Sequence, residues 1–186
     1  MADVLLFHHA LGRTDGVQAF ADELRAAGHE VTVPDLYEGR SFTSIEAGLA
    51  HVEELGFETI ISRGVSVAEG LRDDLVYAGF SLGVMPAQWL AQRRPGARGA
   101  LLYHSAVPLG EFGEAWPDGV PLQMHIMVDD PFDDLDVMQS LAAASGQLYT
   151  YPGTDHLFTD RSVSDYDQAA TELVMQRTLD FLTGLD

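Results

Sequence analysis

Short apolar runs alternate with stretches of helical periodicity along the whole of this chain, and no other feature narrows the fold as much. The runs over 4–9, 30–33, 75–78, 97–103, 120–128 and 147–151 are short and mostly continuous, the pattern of strands covered on both faces. Helical stretches lie between and after them, over 16–27, 44–55, 58–71, 84–93, 133–144 and 166–182. Gly28 ends the first helix, Pro34 stops the second strand and Pro95-Gly96 closes the fourth helix. A strand that returns to its neighbour through a helix pairs in parallel, and the helices then cover both faces of the sheet. The pattern predicts the α/β class: a single doubly wound, mostly parallel sheet with helices on both faces. It is expected to form one domain over 1–186 without a lid domain, since no repeat, low-complexity segment or long linker divides it.

A chain of 186 residues can bury about 70% of the surface it exposes when unfolded, so its core needs no staple. There is no cysteine, which removes disulfides, zinc–thiolate sites and a thiol nucleophile. All 10 basic residues are arginine, and without lysine neither Schiff-base chemistry nor a Walker-type phosphate loop is possible. The formal charge of −19 repels phosphate backbones, so nucleic acid is not an expected partner. No basic region precedes the apolar run after Met1, and no stretch approaches the ~18 apolar residues of a membrane span. A cytoplasmic protein is expected, with no membrane partner.

Gly79-Phe80-Ser81-Leu82-Gly83 is a G-x-S-x-G pentapeptide, weak evidence by itself in a chain with 18 glycines. Its setting strengthens it, because a strand precedes it and a helix follows. That strand–turn–helix is the nucleophile elbow of the α/β-hydrolase fold, in which a strained turn lifts the serine oxygen above the sheet. The Leu82 N–H would then face a developing oxyanion at the helix N-terminus.

A serine hydroxyl needs a base, and in this fold the acid and then the histidine follow it along the chain. Strand 120–128 ends in Asp129-Asp130-Pro131, and strand 147–151 runs into Pro152-Gly153-Thr154-Asp155-His156. Ser81, an aspartate at 129 or 130, and His156 would all stand beyond carboxyl ends of parallel strands, where open α/β sheets carry their sites. The acidic run over 129–136 lacks the glycine and terminal glutamate of an EF-hand loop and otherwise reads as solvated. His29 and His51 are expected in solvent, and His104 and His125 as hydrogen-bonded structural residues. His8 and His9 end the first strand, and adjacent strand residues point to opposite faces, so no metal pair is expected there. Neither metal nor cofactor is called for.

With these residues placed, the chain resembles the dienelactone hydrolase family over nearly its whole length. The resemblance is carried by 6–12, by Val33-Pro34-Asp35-Leu36-Tyr37, by 79–83, by 123–132 and by 151–158. It implies Asp130 as the acid, and Ala10 as the donor of a second oxyanion N–H. The founding lactone hydrolases carry cysteine where this chain has Ser81, and a glutamate that tunes the thiol where it has His9. Their carboxylate-binding arginine is not matched in register: Asp160 takes about that place and Arg161 follows.

These residues predict a serine hydrolase that cleaves a small ester or lactone through an acyl-enzyme. Loop residues His9, Leu11, Phe158 and Trp116 are expected to line a shallow pocket, and Arg161, Arg13 or Arg40 to supply local positive charge. A thioesterase or peptidase on the same scaffold is one alternative. A non-catalytic α/β-hydrolase relative that acts as a binding module is the other.

Overall fold

Six strands pair in parallel throughout, in the order β2-β1-β3-β4-β5-β6, in a computed structural model that describes residues 1–133 and 135–185. They are β1 (Asp3–Phe7), β2 (Glu30–Thr32), β3 (Val76–Phe80), β4 (Gly99–Tyr103), β5 (Leu122–Met127) and β6 (Gly146–Tyr151). The helices are α1 (Asp15–Ala26), α2 (Ile45–Leu55), α3 (Phe57–Glu69), α4 (Val84–Arg93), the short α5 (Leu109–Phe112), α6 (Leu135–Ser145) and α7 (Gln168–Thr183). The predicted helix over 133–144 includes one residue, Asp134, outside the described residues.

Side chains alternate across the strands, so the sheet serves two cores. Leu5, Phe7, Tyr77 and Leu102 face α2, α3, α4 and α6, where Val52, Ile60, Leu90 and Met138 meet them. Val4, Leu6, Ala78 and Leu101 face α1 and α7 and pack on Phe20, Leu24, Val174 and Leu182. Every residue of β3 and β4 is buried, which explains their unbroken apolar runs. The helices begin where side chains satisfy free N–H groups: Thr14 accepts from Val17, Ser44 from Ala47 and Asp167 from Ala170.

Two boundaries differ from expectation in ways that shape the site. β1 stops at Phe7 instead of His9, because His8 and His9 turn out of the sheet and hydrogen-bond to other loops. The stretch after β4, to which the pattern assigns no element, contains α5, a single turn too short for periodicity to reveal. From β1 the chain moves to β2 on one side and then to β3 on the other, so the crevice between the carboxyl ends of β1 and β3 is the switch point of the sheet. Among the described residues no helix is long and apolar enough to cross a membrane.

Candidate active site

Strand β3 runs straight into a single 3₁₀ turn over Ser81–Gly83, and α4 follows without a break. Ser81 sits at φ +48°, a left-handed conformation that costs a non-glycine residue about 1–3 kcal/mol. Close packing on both sides imposes it. A Cβ on Gly79 would lie 2.2 Å from the Gly83 carbonyl oxygen, and one on Gly83 would lie 2.5 Å from that of Phe7. Only glycine at both positions lets the turn press against the end of β1.

The Ser81 hydroxyl points at His156, with Oγ 2.7 Å from Nε2. On the far side of the ring, Nδ1 lies 2.7 Å from Asp130 Oδ2. A carboxylate can only accept, so Nδ1–H donates to Asp130 and Nε2 is left to accept from the hydroxyl. Asp130 is fixed in turn, because its Oδ1 accepts from the Phe132 N–H at 2.9 Å. Asp129 is exposed, and of the two aspartates Asp130 is the one that meets His156.

His104 lies behind His156, with its ring centre 5.9 Å away, fully buried and at φ +71°. Its Nε2 shares a hydrogen bond with Thr159 Oγ1 at 2.7 Å. Burial, and then the neighbouring histidine charges, hold its pKa well below the ordinary value, so it stays neutral and adds no competing charge beside His156.

A pocket of about 270 Å³ opens beside Ser81 and His156. Ile45 and Leu49 of α2, Met85 of α4, Val107, and Phe132 form much of its wall. Ile45 and Phe132 also line a second, adjoining cleft of about 520 Å³, which Leu11 and Thr14 border. None of these wall residues except Leu11 follows from motif reading. A faint sign exists in α2, where Ile45 and Leu49 form an apolar row beside the buried row of Gly48 and Val52.

The family model for dienelactone hydrolases matches residues 2–185. The chain belongs to the dienelactone hydrolase family. It is a hydrolase that acts on ester bonds. A dienelactone hydrolase from Anabaena variabilis superposes with a TM-score of 0.71 at 17% identity, over 99% of this chain and 86% of that one. A dienelactone hydrolase-like promiscuous phosphotriesterase from metagenomic libraries gives 0.79 at 15% identity, over 100% and 87%. A thioesterase domain from the curacin biosynthetic pathway gives 0.63 at 16%, over 94% and 90%. Identities this low show a shared fold alone. No curated protein matches the sequence.

Against that family background, positions 9 and 160, where the sequence departs from the founding lactone hydrolases, face each other. His9 Nε2–H donates to Asp160 Oδ2 at 2.7 Å, and both side chains are buried. His9 Nδ1 accepts from the Leu11 N–H at 3.3 Å, which shapes the turn containing Ala10. Asp160 also accepts from Thr14 Oγ1 at 2.5 Å and from the Ser162 N–H at 2.8 Å. The pair therefore ties the turn after β1 to the loop that carries His156. His8, on the other side of that turn, accepts from the Leu36 N–H through Nε2 at 3.0 Å, and burial lowers its pKa to about 4.

Several expected pocket residues stand elsewhere. His9 is not open to a substrate, because both ring nitrogens are occupied within the protein. Phe158 is fully buried, edge-on against His104 and tilted against Tyr151, so it belongs to the core. Arg161 borders a different depression, with Phe20 and Glu23 of α1, because the backbone at 160 turns inward and sends residue 161 out. Leu11 reaches the adjoining cleft instead of the pocket at Ser81. Trp116 is buried near Val120, to whose carbonyl its indole N–H donates at 2.7 Å. His51, expected in solvent, is buried against Tyr37 and Phe42.

Proposed function

We propose that this hydrolase is a serine esterase that cleaves small esters or lactones through an acyl-enzyme. The observation that carries the reading is the unbroken hydrogen-bonded chain from Ser81 through His156 to Asp130. His156 takes the Ser81 proton as Oγ attacks the ester carbonyl, while Asp130 holds the imidazole in the required tautomer and stabilises its charged form. The N–H groups of Leu82 and Ala10 donate to the tetrahedral oxyanion, each worth about 3 kcal/mol in the transition state. His156 then protonates the departing alkoxide, and water repeats the sequence on the acyl group.

Labelling with a fluorophosphonate probe tests the nucleophile directly. The expected result is an adduct on Ser81 in the native protein and none after heat denaturation, read by peptide mass spectrometry. Folded protein without an adduct would favour the binding-module reading.

The role given to Ala10 has its own test. A Cβ on Gly48 of α2 would lie 2.1 Å from the Ala10 carbonyl oxygen, so Gly48→Ala must shift either α2 or the turn that carries Ala10. Losing one oxyanion donor costs 10²–10³ in turnover, and displacing one is expected to lower kcat by roughly 10–100-fold with KM little changed. An unaltered kcat in a folded Gly48→Ala protein whose Ala10 turn has shifted would remove Ala10 from the mechanism.

A further inference from the structure

We propose that the pocket beside Ser81 selects uncharged, apolar acyl groups and rejects acyl groups that end in a carboxylate. The inference rests on the serine-esterase reading and adds the chemical class of substrate. Its basis is where the cations of this chain lie. There is no lysine, and among the described residues that line the pocket there is no arginine.

Five of the arginines have places elsewhere. Arg94 donates to the Tyr77 hydroxyl at 2.8 Å, Arg63 to the Leu36 carbonyl at 2.5 Å, and Arg93 to the Phe112 carbonyl at 2.5 Å. Arg177 stacks on Tyr149 at 4.2 Å, and Arg161 borders a depression over α1. The residue one place before it, Asp160, is acidic and already committed to His9.

Most of the wall is apolar, with Ser105 a further polar residue beside Ser81 and His156. Ile45, Leu49, Val84, Met85 and Val107 line it, and the one acidic side chain described there is Asp133. Two aromatic rings at the lining, Phe57 and Phe132, remain 41% and 46% exposed, so the apolar surface continues outward from the pocket. A carboxylate drawn into this space would lose its hydration and find no arginine or lysine to pair with. An alkyl chain would lose nothing. The volume of about 270 Å³ falls below the range typical of drug-sized ligands and suits a short acyl group.

Three substrates with one leaving group separate charge from length: 4-nitrophenyl hexanoate, mono-4-nitrophenyl adipate, and the adipate with its free carboxyl capped as a methyl ester. Background is taken from the Ser81→Ala protein. Expected is a kcat/KM for hexanoate about 100-fold or more above that for the free adipate, with capping restoring most of the loss. Met85→Arg, which puts a guanidinium in the wall, is expected to raise the adipate-to-hexanoate ratio at least tenfold. Free adipate within threefold of hexanoate overturns the selectivity, as does a capped adipate no better than the free acid. If no ester is hydrolysed above background and Ser81 takes no fluorophosphonate label, the esterase reading itself fails. Labelling of Ser81 with poor charge discrimination fails only the selectivity.

Discussion

Replacing Ser81 or His156 with alanine is expected to lower ester turnover by roughly four to six orders of magnitude, the largest effect available to any single change in this chain. In the proposed mechanism the two groups act as a unit: Ser81 Oγ attacks only as His156 Nε2, 2.7 Å away, removes its proton, and His156 has nothing to deprotonate once the hydroxyl is gone. The double variant should therefore be hardly worse than either single one. Residual activity over water would come from the Leu82 and Ala10 N–H groups, which neither change touches. Pre-steady-state release of nitrophenol from a 4-nitrophenyl ester checks both claims, since wild-type protein should show a burst equal to the enzyme and both variants none. A burst that survives Ser81→Ala would place the nucleophile elsewhere.

Asp160→Ala is expected to be the most destabilising change at the site, by about 3–5 kcal/mol, or a fall in Tm of roughly 10 °C. One carboxylate here accepts hydrogen bonds from His9, Thr14 and Ser162, while being only 2% exposed. Its removal leaves buried donors with no acceptor, each carrying a desolvation cost. The same contacts give the site an acid sensitivity. Burial alone would raise the Asp160 pKa, but hydrogen bonds from His9, Ser162 and Thr14 outweigh it and hold the pKa below the ordinary carboxylate value. A group depressed in the folded state stabilises fully above its unfolded pKa, and that contribution is lost as pH falls through the folded one. The Tm gap between wild type and Asp160→Ala should thus be full at neutral pH and narrow below about pH 4. A gap independent of pH would mean that the cost comes from packing alone. Asp160→Asn keeps acceptor oxygen for some of the donors and should lose less.

The topology was legible in the sequence, and so was the rim of the sheet at which Ser81 and His156 meet. Six apolar runs became six parallel strands with boundaries shifted by a few residues, because strands buried on two faces and helices buried on one carry different periods. Ser81, His156 and an aspartate at 129 or 130 could be placed for a related reason: each follows a strand, and strand ends in such a sheet share one rim, while Asp130 over Asp129 was implied only by the family resemblance. Local chemistry along the chain is enough to place residues of this kind.

The pocket wall was not legible, and the misreadings share a cause. Whether a loop side chain turns to solvent, core or substrate depends on partners distant in the chain, and no periodicity records them. His9 and Asp160 are 151 residues apart, yet their hydrogen bond removes His9 from the pocket. Phe158 lies two residues from His156 but packs against His104 and Tyr151 in the core. Arg161 faces α1 because its neighbour Asp160 is pulled inward. The apolar wall comes instead from α2, α4, the turn after β4 and Phe132, brought to Ser81 only when the helices dock on the sheet. Local pattern thus decided the fold and the rim at which Ser81, Asp130 and His156 meet, and long-range packing decided what surrounds them, because a contact between distant segments has no counterpart in either segment alone.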